Sequence, residues 1–253
     1  MSPTKQIAFA AFLFAFAVEA AFTGVCRGGV VFQSDFESGI PTNMSGTGVL
    51  TGTQGYSAFG FGNTFLRTEA GNGIGNGIEL TLDNLPSHTS VSIDFLLAVI
   101  DSWDGVGNTV HGPDGLSVAV DGVIVFSEVF ENSNSGVQTY VSPPGVTLAR
   151  RESLGFAPTG IFFADSAYDM SLDATFSDIA HTSSSLTINW FRHSGLQING
   201  SSSVPVDESW AIDNLSVTLG GVAAVPEPTS ALLLLPLTAA SMLRRTPKRR
   251  TKQ

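Results

Sequence analysis

Cysteine is almost missing from this chain of 253 residues: Cys26 is the only one, so no intrachain disulfide can form. Whatever stabilises the fold must be core size or bound metal. Charge is also scarce. Charged residues make up 13%, about half of the usual ~25%, which excludes a coiled coil or a long helical bundle. Lysine is absent between residues 30 and 221, where four arginines (Arg67, Arg150, Arg151 and Arg192) face 20 acids, a net charge of −16. Such a body repels phosphate backbones and excludes nucleic acid as a partner. It suits a solvated extracellular protein or one that meets divalent cations. The same span keeps no helical period and shows no internal repeat, which removes solenoids and propellers.

What is present is apolar, aromatic and rich in turn residues. Hydrophobic residues reach 43%, with 18 Phe, 27 Gly and 12 Pro, enough to bury a core and too much for wholesale disorder. Val91, Ile93, Phe95, Leu97 and Val99 alternate with Ser92, Asp94, Leu96 and Ala98, the period-two pattern of a half-buried strand. Further strands are expected over Val30–Phe36, Gly77–Asp83, Leu116–Val120, Val123–Phe130, Gly160–Ala164, Ser171–Ile179, Leu186–Arg192 and Trp210–Leu219. Asp121-Gly122 between two apolar runs predicts a type I′ hairpin. Nine or more strands at this spacing predict an all-β fold, an antiparallel jelly-roll β-sandwich over 30–221, with a closed barrel as the alternative. The glycines from Gly71 to Gly77 miss the spacing of a phosphate loop and lead into a strand, so they read as a loop.

The two ends carry addresses. Lys5, an apolar run from Ile7 to Val18 and the small residues around Ala20 give residues 1–25 the layout of an export signal, a short signal helix. A lipoprotein would use Cys26, but Val25 before it is too bulky for such a site. At the other end, residues 222–253, Val225-Pro226-Glu227-Pro228 precedes an apolar run over 231–243 and a basic cluster over 244–252 that opens with Arg244 and Arg245. This tail resembles the PEP-CTERM sorting signal of Gram-negative bacteria. The resemblance implies recognition by an exosortase, a membrane peptidase, after passage through the export machinery. The basic cluster stays cytoplasmic while the body crosses. Thirteen apolar residues at 1.5 Å rise span roughly 20 Å of a layer about 30 Å thick, and Pro236 interrupts them. The C-terminal transmembrane helix is therefore short and suits transient inner-membrane anchoring before release to the cell surface or matrix.

Two acidic clusters are candidate metal sites. Asp101, Asp104 and Asp114 sit on a Gly-bent stretch of the oxygen-rich kind that Ca²⁺ coordinates, or equally an ordinary turn in which Asp caps the backbone. The second pairs Asp35-Phe36-Glu37-Ser38-Gly39 with Glu208-Ser209-Trp210-Ala211-Ile212-Asp213-Asn214. This layout resembles jelly-roll carbohydrate-binding modules and related concanavalin-like domains. The resemblance implies a structural calcium held by Glu37 and Asp213, with Asp35 as a further ligand. By parity Asp213 shares its strand face with Leu215, Val217 and Leu219 unless a bulge intervenes, and a carboxylate on that face needs a partner.

Catalysis finds little to stand on. His88, His111, His181 and His193 lack zinc-ligand spacing and read as single loop or surface residues. No Gly-x-Ser-x-Gly elbow occurs. Glu128 and Glu131, separated by an odd number, fall on opposite faces of a strand and read as solvated edge residues. Binding is better supplied. Trp103, in its acidic loop, is the candidate sugar-stacking platform, or else a lid over the core; Trp190 and Trp210 read as core, and Tyr56, Tyr140 and Tyr168 offer further flat faces. The sequence thus predicts an exported, non-catalytic, adhesive or glycan-binding sandwich with extracellular polysaccharide as its partner. The alternatives are a secreted glycan hydrolase or lyase of the same fold and a purely structural matrix component.

Overall fold

The expected alternation organises the molecule. In the computed structural model, which describes residues 29–68, 77–108, 113–133, 136–156, 164–194 and 208–221, Val91, Ile93, Phe95, Leu97 and Val99 all enter one hydrophobic core. The export segment 1–25, Cys26, His111, the glycine run 71–76, the stretch 160–163 and the sorting tail with Pro226, Glu227, Pro228, Arg244 and Arg245 lie outside the described residues. Among the described residues no helix is long and apolar enough to cross a membrane.

Among the described residues thirteen strands form: β1 Gly29–Ser34, β2 Met44–Gly46, β3 Val49–Gly52, β4 Thr64–Thr68, β5 Ile78–Leu82, β6 Ser90–Ile100, β7 Asp114–Val120, β8 Val123–Val129, β9 Thr147–Glu152, β10 Asp165–Asp169, β11 Ile179–Ala180, β12 Leu186–Ser194 and β13 Ser209–Gly220. They make two antiparallel sheets rather than a closed barrel. One runs β3-β4-β13-β6-β10-β9, with β1 also on β13 and β11 also on β6; the other runs β2-β5-β12-β7-β8. From β4 to β7 successive strands alternate between sheets, the crossover habit of a jelly roll. The Asp121-Gly122 hairpin joins β7 to β8 with positive φ at both residues (49° and 77°), as a type I′ turn requires.

Between the sheets lie Trp190, Trp210, Phe95, Phe126, Phe130, Phe176 and their aliphatic neighbours. A second cluster covers the outer face of the β6 sheet, where Tyr56 and Phe65 close over Leu96, Ala98 and Ala211. Leu96 and Ala98, the weak members of the alternation, are therefore buried too. Tyr56 sits on a 3-10 turn over Gln54–Phe59 and donates its hydroxyl to Val99 O at 3.0 Å.

One expected strand is replaced. Over Ser171–Ile179 the chain makes two 3-10 turns, Met170–Leu172 and Ala174–Phe176, and only Ile179–Ala180 pairs. The reason is local: Asp169 and Asp173 each accept a backbone N–H two residues on, from Ser171 (3.1 Å) and Thr175 (2.9 Å), the Asp habit that competes with a ladder. Five strands went unpredicted, among them β4, β9 and β10, because they are short and carry Arg, Thr, Ser and Asp in place of an apolar alternation.

Candidate functional site

Asp35 and Glu37, just after β1, and Asp213, in the middle of β13, lie around residues 62–64, whose N–H groups Glu37 and Asp213 share, but among the described residues they do not form a three-acid group with ligand oxygens within 4.8 Å of one another. Phe36 turns the chain at φ 56°. Asp35 Oδ1 accepts the Glu37 N–H at 3.2 Å. Glu37 then reaches across to residues 62–64. Its Oε1 accepts the N–H of Asn63 and of Thr64 (3.0 Å), and its Oε2 accepts Asn63 Nδ2 at 3.2 Å. The Thr64 N–H and the Asn63 side chain hold the Glu37 carboxyl below its usual range. Asp213 Oδ2 accepts the Gly62 N–H and Oδ1 that of Asn214, both at 2.8 Å. Burial, helped by the negative charges of Glu37 and Asp35, pushes Asp213 up to about 6 against these bonds.

The parity expectation for Asp213 fails for the reason foreseen. Asn214 adopts φ 48°, and the β13–β6 register shifts between Asp213 and Ser216. This bulge turns Asp213 to the side of Ala211, away from Leu215, Val217 and Leu219, which stay in the inter-sheet core. Gly62 leaves room for the Glu37 carboxylate: a Cβ there would lie 2.3 Å from Glu37 Oε1 and push it off its N–H partners.

The second acidic cluster is rearranged. Asp104 and Asp114 do converge, but their third partner is Glu208, not Asp101; ligand oxygens of these three lie within 4.8 Å of one another. Asp101 stands apart at φ 70°, its N–H given to Asp165 Oδ1 at 3.0 Å. Between the three acids sits Arg192, whose guanidinium donates to Asp114 Oδ1 and to Glu208 Oε2, each at 2.6 Å. The Asp104 N–H donates to Asp114 Oδ2 at 2.8 Å, and Ser133 Oγ to Asp104 Oδ1 at 2.6 Å. Burial, then the charge of Asp114, pushes Glu208 up to about 8 despite Arg192. Burial raises Asp114 as well.

Trp103 packs beneath this cluster as a lid and is not a surface platform. It is fully buried, donates Nε1–H to Ser209 O at 2.9 Å, meets Phe130 edge to face at 6.0 Å and carries the Arg192 guanidinium 5.4 Å above its ring. One sequence signal could have found Arg192. On β12 it follows Leu186, Ile188 and Trp190 at alternate positions, so it faces the core, where a charge needs partners.

Two further readings change. Glu131 is buried, not solvated: the chain leaves β8 at Val129 and turns inward, so that Glu131 pairs with Arg151 at 3.0 Å and Arg150 at 3.7 Å. The histidines are not single. His88 and His181 contact each other at 2.6 Å, and His193 Nδ1 meets Ser117 Oγ at 2.8 Å. Ser117 is buried, burial lowers the His193 pKa, and no described carboxylate bonds to His193.

A groove of about 460 Å³ opens along the edge strand β8, between Val125–Glu128, Thr139–Val141, Pro143 and the turn residues Asp173 and Thr175. Glu128 Oε2 accepts Thr139 Oγ1 at 2.6 Å, and Asp173 Oδ2 accepts the Tyr140 hydroxyl at 2.8 Å. Burial, and then that bond, pushes the Tyr140 phenol well above its usual range, so it stays a donor. Val141, 87% exposed, forms the rim. Hydroxyls, carboxylates and apolar ring edges therefore line one open channel.

No family model matches the chain, and no curated protein does. Solved structures offer distant likenesses. The CBM22-1 xylan-binding domain of Xyn10C from Paenibacillus barcinonensis is 14% identical, with a TM-score of 0.34 over 78% of this chain and 98% of that one. The K3 cleaved adhesin domain of Lys-gingipain from Porphyromonas gingivalis is 12% identical, with a TM-score of 0.35 over 75% and 99%. A GH87 alpha-1,3-glucanase catalytic domain is 17% identical, with a TM-score of 0.30 over 80% of this chain and 31% of that one. At such scores the likenesses assign neither family nor ligand.

Proposed function

We propose that this chain is an exported surface or matrix protein, released by an exosortase, whose β-sandwich binds extracellular polysaccharide without catalysis. The observation that carries the binding role is the β8 groove. A sugar ring presents hydroxyls at its edge and C–H bonds on its faces. Ser127, Thr139, Thr175 and Glu128 supply hydrogen-bonding groups for the first, and Val125, the exposed Val141 and the edges of Phe126 and Tyr140 supply apolar contact for the second. The export role rests on the signal-like and PEP-CTERM-like ends of the sequence.

We further propose a structural calcium at Asp35, Glu37 and Asp213. The donors are hard carboxylate oxygens of the kind calcium takes, and an ion there would displace the N–H groups of Gly62, Asn63, Thr64 and Asn214 that Glu37 and Asp213 now accept. The Asp104, Asp114 and Glu208 cluster already holds the guanidinium of Arg192 as its counter-charge.

One observation favours a second reading, a glycan hydrolase or lyase: Glu128 and Asp173 line the same groove. Against it, both Asp173 oxygens are committed, one to Tyr140 and one to the Thr175 N–H. A glycan-array screen of residues 29–221, followed by assay of released sugar on every positive glycan, tests these readings. Retention without release is expected. Retention with release that Glu128→Gln abolishes supports the enzyme, and no retention on any glycan leaves the structural matrix role.

A further inference from the structure

His88 lies in the loop between β5 and β6, His181 directly after β11, and Asp121 at the β7–β8 turn. Their four ring nitrogens can be assigned protons from their partners alone. His88 Nδ1 is 2.6 Å from Pro86 O. A peptide carbonyl only accepts, so that nitrogen carries a proton. His181 Nε2 is 3.0 Å from Asp121 Oδ2, while Asp121 Oδ1 accepts the Thr187 N–H at 2.8 Å. An ionised carboxylate also only accepts, so His181 Nε2 carries a second proton. The two remaining nitrogens, His88 Nε2 and His181 Nδ1, are 2.6 Å apart.

Were both rings neutral, those two nitrogens would present lone pairs to each other. The ring geometry makes the collision head-on. The ring centres are 4.9 Å apart with planes inclined by 15°, which is the nitrogen gap plus one ring radius at either end. The nitrogens thus lie on the line between centres, and the rings meet edge to edge rather than face to face. A metal ion does not resolve this, because zinc at about 2.0–2.1 Å from each nitrogen in tetrahedral geometry needs them more than ~3 Å apart. A proton does, since a charge-assisted hydrogen bond is short and linear.

We propose that His88 and His181 share one extra proton, forming a buried bis-imidazole monocation balanced by Asp121. The other acids on the elements that carry the pair are Asp83, at the end of β5, and Asp178, before β11, which accepts Ser90 Oγ at 3.3 Å; the β12 end of the cluster contributes serines and Thr187. Asp121 is thus the counter-ion, and being half exposed it is also the exit for the proton. The device ties three loops at one end of the sandwich, joining β6 and β11 of one sheet to β5 and the β7–β8 hairpin of the other.

Long-range ¹H–¹⁵N correlation on the labelled full chain at pH 7.5 tests this, because unfolded imidazoles, with pKa about 6.5, are then mostly neutral. The expected result is three nitrogen-bound protons over the four nitrogens, one of them strongly downfield. Two neutral rings with one proton each would overturn the proposal. A second readout is the unfolding equilibrium constant between pH 7 and 8. The folded pair holds one proton more than the unfolded chain, so the constant rises by up to tenfold more in the wild type than in His88→Gln. Parallel profiles would also overturn it.

Discussion

Replacing Arg192 by Met is the most informative perturbation of the buried acidic cluster. Methionine keeps most of the volume over Trp103 and deletes the charge that bridges Asp114 and Glu208 at 2.6 Å each. Asp114 and Asp104 are buried, so their ionised forms lose their counter-ion in a poorly solvated place. Removing one partner of a buried pair costs about 3–5 kcal/mol. For a domain of this size each kcal/mol lowers Tm by roughly 2–4 °C, so the expected drop is roughly 6–20 °C. The drop should depend on pH. Glu208, already pushed up to about 8 by burial, loses the cation that opposes that shift, so the variant suffers less at pH 6, where Glu208 is neutral, than at pH 9. The double variant Arg192→Met/Glu208→Gln should recover part of the loss at pH 9. Thermal melts by circular dichroism at both pH values read all of this. A fall of less than about 2 °C at both would refute the argument that Arg192 neutralises a buried cluster, since even the low end of that range is several-fold larger.

Asp213 titrates in the fold at about 6, above its unfolded value of about 3.9. The fold therefore binds the extra proton, and its stability falls as pH rises from about 4 through 6; denaturant titrations should show that slope vanish in Asp213→Asn. Calcium at millimolar excess should raise the wild-type Tm at pH 7.5 and leave Asp213→Asn unmoved, whereas an unchanged wild-type midpoint with calcium and with chelator removes the metal. Gly62→Ala drives a methyl into Glu37 Oε1 and should displace that carboxylate from the Asn63 and Thr64 N–H groups, speeding their amide hydrogen exchange; unchanged exchange would mean that residues 62–64 are not clamped by Glu37. Trp103→Ala should unfold the chain or lower stability by about 3–5 kcal/mol, and a soluble, equally stable variant with weaker glycan retention would restore Trp103 as a platform.

The fold was legible wherever both faces of a strand differ. Val91–Val99 alternates because β6 packs one face on the other sheet, and Asp121-Gly122 announces its hairpin through the backbone it alone tolerates. The site was legible only in part. Glu37 and Asp213 came from a resemblance to jelly-roll carbohydrate-binding modules, and the bulge at Asn214 that re-aims Asp213 leaves no mark in residue spacing. Asp104 and Asp114 were found because acids and glycines cluster in the sequence, while Glu208 and Arg192 join them through β12 and β13, across separations that no local pattern encodes. The His88–His181 contact spans 93 residues and was read as two unrelated loop histidines for the same reason. Short strands such as β9 and β10 stayed hidden because their stability comes from the strands they pair with, β10 lying between β6 and β9 and β9 closing the edge on β10, and not from their own polar sequence.

The central claim, an exported sandwich that holds polysaccharide without cutting it, is tested most directly by retention on insoluble polysaccharides with simultaneous assay of released reducing ends. The account predicts retention on at least one polysaccharide, loss of that retention in Ser127→Ala/Glu128→Gln, which leaves the core intact, and no released sugar from the wild type. Release of sugar, or passage through every polysaccharide unretarded, would contradict it.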